Sequence, residues 1–198
     1  MPDGKYNYAD GLKGCLGFSR TKGGGFGGFL SRAIRMFSAG EWSHVFVVLD
    51  RVPDTGDYYI IEAAEAGVQI SLFSEYAEDK NIEFALYKPK VSEEAIAEGV
   101  RKILPLNGRA YGYLQFVGFI LVWPYYMVTG KRRHNPFGGG IICSELGLIY
   151  ARGTRVNPPV FDRMDLNLTS PEDLNDNADT DRTHWLLKLT HKGIPGSL

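Results

Sequence analysis

Cys143 stands at the head of Cys143-Ser144-Glu145-Leu146-Gly147-Leu148-Ile149-Tyr150, where Leu146, Ile149 and Tyr150 recur at helical spacing. Three glycines, Gly138-Gly139-Gly140, release the backbone just before it, so the spacing predicts a helix with the sulfur in its first turn. Free N–H groups and the helix dipole favour a thiolate there, the form that attacks a carbonyl carbon. A thiol nucleophile needs a base, and the base needs a group to orient it. His44 opens the apolar run Val45-Phe46-Val47-Val48-Leu49, and Glu62 ends the run Tyr58-Tyr59-Ile60-Ile61. With a turn over Pro53 to Asp57, the two runs form a hairpin. His44 and Glu62 are then adjacent across its open end, within reach of a carboxylate–imidazole hydrogen bond. Taken singly, the three residues read as a packed cysteine, a satisfied core histidine and a strand-end acid. Their joint placement is what points to acyl transfer: Cys143 as nucleophile, His44 as base and acid, Glu62 as orienting carboxylate.

The elements that must position these groups follow from periodicity and punctuation. Leu12 to Ser19 reads as a short strand, Gly23 to Gly28 as a loop, and Phe29 to Phe37 as a helix with the stripe Leu30, Ala33, Ile34, Phe37. The unbroken apolarity of Val45 to Leu49 predicts a strand buried on both faces, central in its sheet. Gly67 to Leu72 and Ile82 to Tyr87 predict two more strands. Ser92-Glu93-Glu94 opens a helix that runs to about Leu104, before Pro105. Ser170-Pro171-Glu172 starts a short helix, Asp173 to Asp181 reads as a solvated acidic loop, and His184 to Thr190 as a last strand. Strands cluster in the middle with helices on either side, which is the α+β class.

Composition bounds the function. The chain has 198 residues, 44% of them hydrophobic and 23% charged, enough for one domain with its own core. A formal net charge of -1 carries no footprint for nucleic acid. Two cysteines, Cys15 and Cys143, are too few for a disulfide scaffold or a four-cysteine zinc site, though a single bridge between them stays open. The four histidines show no paired ligand spacing, so no metal and no cofactor is expected. Met1 to Lys5 lacks the charged-then-apolar pattern of a leader, so a soluble protein is expected, cytoplasmic or associated with a phage particle.

Three strings, in this order, carry a resemblance: Trp42-Ser43-His44-Val45-Phe46-Val47-Val48-Leu49, then Ile60-Ile61-Glu62-Ala63, then Ile142-Cys143-Ser144-Glu145-Leu146. They look like the circularly permuted, NlpC-type papain-fold amidases, with phage- and bacterium-encoded members, in which the histidine strand precedes the cysteine helix. The helix over 29–37 followed by Trp42-Ser43-His44 also resembles phage-borne members. The likeness covers about Leu12 to Leu174 of a single domain 1–198, with 175–198 as a C-terminal extension. It implies a permuted papain-like fold, a central antiparallel sheet packed against helices, and the catalytic cysteine at the N-terminus of a late helix. Cys143 matches the nucleophile, His44 the base and Glu62 the orienting residue. Tyr111 and Tyr113 fall where the family often has an aromatic segment, and with Ser43 and Ser144 they are candidates for substrate contact. The implied reaction is hydrolysis of an amide, or of a thioester or ester, through an acyl-enzyme on Cys143. Implied substrates are peptidoglycan peptides or acylated lipids and amines. The chain departs from the pattern where many members begin with Gly-Asp; Gly14-Cys15-Leu16-Gly17-Phe18 stands there instead.

Other readings compete. Gly23, Gly25 and Gly28 satisfy G-x-G-x-x-G, and Asp50 follows at about the distance a dinucleotide-binding unit requires. Against it, the next strand pair reads as a hairpin instead of a parallel βαβ repeat. The uncharged run Ala110 to Val128 approaches bilayer-spanning length and is flanked by Lys131-Arg132-Arg133. Pro124 and Gln115 favour a buried helix over a lone span, and Trp123, Tyr125 and Tyr126 suit an apolar lip for peripheral contact with a membrane or acyl chain. The non-enzyme alternative is a papain-fold binding protein or virion component whose triad is idle.

Overall fold

The computed structural model describes residues 8, 10–22, 40–112, 118, 125, 128–129, 140–166 and 169–191. The expected helix over 29–37, the glycine run 23–28, Tyr113 with most of the apolar run after it, and the basic residues 131–133 lie outside them.

The class is α+β. Six strands, β1 (Leu16–Thr21), β2 (His44–Arg51), β3 (Tyr58–Ala64), β4 (Gly67–Leu72), β5 (Ile82–Pro89) and β6 (Trp185–His191), form one sheet of order β4-β3-β2-β1-β5-β6. Every pairing among them is antiparallel. That removes the dinucleotide-binding reading: β1 and β2 pair antiparallel, where a βαβ unit needs parallel strands. The expected strand at Leu12 starts later, because the Leu12 carbonyl accepts from the Cys15 N–H at 2.9 Å in a turn that precedes β1.

Alternation along the central strands sorts the core into two layers. Leu16 and Phe18 of β1, Val45 and Val47 of β2, and Ile61 and Ala63 of β3 face a layer of helices. Phe46 and Val48 of β2 and Ile60 of β3 face the other way, against Leu12, Phe73 and Phe84. This two-sided burial is why β2 has no polar residue between Val45 and Leu49.

After β4 comes a single helical turn, α1 (Ser74–Ala77). Next, α2 (Glu93–Ile103) is capped by the Ser92 hydroxyl on Ala95 N–H and carries two glutamates in its first turn. The helical layer is centred on α3 (Cys143–Thr154), whose Leu146, Leu148, Tyr150 and Ala151 are all buried. The Tyr150 hydroxyl, buried within that layer, donates to the Gly14 carbonyl at 2.6 Å and ties the helix to the turn before β1. A short α4 (Pro158–Phe161) follows, and then α5 (Pro171–Thr180). The acidic stretch expected as a solvated loop is therefore helical. Ser170 and Asp173 make a reciprocal capping box, and Leu174 and Ala178, four residues apart, turn into the core. Among the described residues no helix is long and apolar enough to cross a membrane.

One packing detail sets the distance between α3 and β2. A Cβ added at Gly147, one turn after Cys143, would lie 2.7 Å from Val45 Cγ1 and 3.0 Å from Leu174 Cδ1. The bare glycine lets the helix settle directly beside the residue that follows His44. Gly147→Val should therefore keep the secondary structure seen by circular dichroism yet slow iodoacetamide alkylation of Cys143 by about ten-fold, because the helix is pushed off β2. Helix propensity would favour the substitution by at most about 1 kcal/mol, so an unchanged alkylation rate would mean that this contact does not set the sulfur's position.

Candidate active site

Three elements bring the chemistry together. His44 is the first residue of β2, Glu62 lies within β3, and Cys143 is the first residue of α3. His44 Nε2 and Glu62 Oε2 are 2.8 Å apart. The pair is not directly opposite, as the turn placement suggested. Phe46 is the cross-strand partner of Glu62, and His44 reaches it diagonally from two residues along the same face. The Cys143 side chain acts on the same ring and favours its protonated form. With Nε2 engaged by the carboxylate, Nδ1 is the nitrogen left for the thiol. Cys143 belongs to the helical layer, whereas Glu62 follows Ile60 and Phe46 onto the opposite face. The imidazole thus joins the two layers of the core at the end of β2.

The carboxylate is buried, at 3% exposure, and four side chains among the described residues donate to it. Oε2 accepts from His44 and from the Tyr76 hydroxyl of α1. Oε1 accepts from Ser71 Oγ at 2.5 Å and from Gln69 Nε2 at 3.3 Å, both on β4. Burial works against charge on Glu62, but the hydrogen bonds from His44, Ser71 and Tyr76 and the attraction of the ring hold it at about 2. Burial likewise works against charge on His44, yet its hydrogen bonds to Cys143 and Glu62 and their attraction push it up to about 10. Tyr76 is pushed well above the usual phenol range, first by burial and then by the Glu62 charge, so it stays a donor.

The approach to each residue is fixed locally. Glu172 Oε2 of α5 accepts from the N–H groups of Glu41 at 2.6 Å and Trp42 at 2.9 Å, pinning the chain as it enters β2. The segment before α3 is clamped to residues 110–112: Ile141 N–H donates to the Ala110 carbonyl and Gly112 N–H to the Ile141 carbonyl. A side chain at Gly140 would collide with Gly112, its Cβ falling 2.4 Å from the Gly112 Cα. The N-cap of α3 is Ile142, which has no side-chain acceptor, so among the described residues no cap covers the first-turn N–H groups of Cys143 and Ser144.

The remaining candidates are placed as follows. Tyr111 forms a parallel bridge with Ile141, two residues before Cys143, and is half-buried; Tyr113 lies outside the described residues. Ser43 and Ser144 are buried, and Ser43 Oγ donates to the Ser19 carbonyl at 3.3 Å. Cys15 and Cys143 are both free thiols, so the bridge left open by the sequence is not formed. Burial pushes the Cys15 thiol up to about 12, which removes it as a nucleophile.

No family model matches this chain. Comparison with curated proteins and with solved structures likewise found no match.

Tyr76, Ser71, Gln69 and Glu172 were missed in the sequence. Gln69 and Ser71 are the polar positions of the alternating strand next to Glu62, and only the register Glu62↔Gln69 reveals their use. Tyr76 sits on one helical turn, too short for a periodic signal.

The site makes a pH prediction. Glu62 is ionised in the folded chain down to about pH 2 but, with its ordinary value of 4.5, protonates earlier when unfolded. Its stabilisation is complete above about pH 4.5 and lost as pH falls toward 2. His44 is protonated in the folded chain up to about pH 10 against an ordinary 6.5, so its stabilisation is complete below about pH 6.5 and lost as pH rises toward 10. Calorimetric Tm should thus decline between pH 6.5 and 10, and His44→Gln should flatten that decline. Equal slopes for the two proteins would show that the folded chain does not hold the ring charged.

Proposed function

We propose that the chain is a cysteine hydrolase of the permuted papain-like, NlpC type that cleaves an amide bond through an acyl-enzyme on Cys143. The observation that carries this is the His44–Glu62 hydrogen bond at 2.8 Å, with Cys143, the first residue of a helix, acting on the same imidazole. With His44 already carrying its proton below about pH 10, Sγ adds to the substrate carbonyl carbon as the thiolate that a helix start and a neighbouring imidazolium favour. The oxygen left negative is stabilised by the Cys143 N–H in the first turn of the helix, where the N-cap Ile142 supplies no side-chain acceptor. Loss of the amine breaks the C–N bond, and the imidazolium returns its proton to that amine. Water, deprotonated by His44, then attacks the thioester, releases the acid and restores the thiol. Glu62 keeps the ring in the tautomer and orientation that serve both proton transfers. No step requires a metal or an organic cofactor. Peptidoglycan peptides and N-acyl lipids are the two substrate classes to which the resemblance points.

One observation favours a second reading, a binding or virion structural protein with an idle triad: Cys143 is only 4% exposed. Alkylation decides between them. Rapid reaction of iodoacetamide with Cys143 near neutral pH, falling at least about 100-fold in His44→Ala, supports the hydrolase. A sluggish thiol indifferent to His44→Ala supports the binding protein.

Activity is checked by incubating a peptidoglycan digest and an N-acyl lipid panel with the protein, with Cys143→Ala as blank. Turnover by wild type but not by Cys143→Ala is expected on one of the two. Turnover surviving in Cys143→Ala would refute Cys143 as nucleophile.

A further inference from the structure

We propose that Tyr76 is a positioning residue for His44: its hydroxyl donates to the Glu62 oxygen that also accepts from His44 Nε2, and so sets both the tilt of the carboxylate and the charge it offers the ring. In its kinetic arm the proposal rests on the hydrolase reading above; in its titration arm it does not.

The geometry separates Tyr76 from a simple packing residue. Ser71 and Gln69 occupy Oε1, so they fix one end of the carboxylate and leave its rotation about that end open. Among the described residues the donors to Oε2 are Tyr76 and His44, so the tyrosine helps decide where that oxygen sits and how much of its charge is already neutralised. The Tyr76 ring lies within 7° of parallel to the imidazole, centroids 6.1 Å apart, and packs on Phe46 at 4.7 Å. Phe46 is itself the cross-strand partner of Glu62, so the tyrosine ring is braced by the residue opposite the carboxylate it serves. The one-turn helix that carries Tyr76 is held in turn by buried Asp57, whose Oδ1 accepts from Tyr58 N–H at 2.7 Å and Ser74 N–H at 3.2 Å. Groups facing the pair are His44 on β2, Gln69 and Ser71 on β4, Glu75 on α1 and, beyond the ring, Cys143 on α3.

Removing the hydroxyl leaves more negative charge on Oε2 for the imidazolium, and frees the carboxylate to rotate. Tyr76→Phe in the full chain should raise the His44 titration midpoint, followed by 15N imidazole NMR, by roughly 0.5–1 pH unit. It should also lower kcat by about ten-fold with KM unchanged. Replacing Tyr76 with 3-fluorotyrosine, an almost isosteric and stronger donor, should move the midpoint the other way. That protein carries the test if Tyr76→Phe does not fold. A His44 titration unmoved by both substitutions, or moved in the same direction by both, would overturn the proposal. A titration that moves as expected in a wild-type chain showing no turnover would overturn the hydrolase and leave the positioning role standing.

Discussion

A buried negative charge governs this structure. Taking a carboxylate out of water costs several kcal/mol unless donors replace the lost solvent, and Glu62 is buried with four side-chain donors converging on its two oxygens. Those donors come from β2, β4 and α1. The carboxylate is therefore satisfied only when the β2–β3 hairpin, the β3–β4 hairpin and the short turn after β4 have all docked. The same requirement that keeps the charge from destabilising the fold places an imidazole at 2.8 Å and holds it for the thiol. The stability of the fold and the placement of the imidazole are coupled through one side chain.

The helical layer supplies the sulfur under a different constraint. On the sheet's other face, α3 packs directly on the strands: Val45 and Leu16 press on it at Gly147, and Tyr150 ties its far turns to Gly14. Backbone pairing of residues 110–112 with Ile141 settles where that helix begins. The site arises where a polar cluster on one side of the sheet and an apolar contact on the other meet at the end of one strand.

Much of this was legible in the chain. The apolar run after His44, the hairpin to Glu62 and the helix after Gly140 came from periodicity and turn residues, and they placed His44 beside Glu62. What could not be read was register and partnership. His44 and Glu62 pair diagonally, an offset set by where the hairpin closes and by the irregularity between Val48 and Arg51. The supporting donors on β4 and α1 look like ordinary surface polar residues until the strands are aligned. The stretch after Asp173 misled because its acidity suggested solvation. The capping box and the spacing of Leu174 and Ala178 outweighed that acidity and made a helix with one buried face.

The anchoring of Glu41 and Trp42 by Glu172 has a consequence for biosynthesis. Ribosomes deliver a chain from its N-terminus at about 5–20 residues per second, so the histidine strand emerges long before the cysteine and longer still before the glutamate that fixes its entrance. Throughout that interval the nascent polypeptide holds His44 with neither Cys143 nor the Glu172 clamp. The imidazole, the sulfur and the glutamate that fixes the entrance to β2 therefore come together only once residue 172 has left the ribosome.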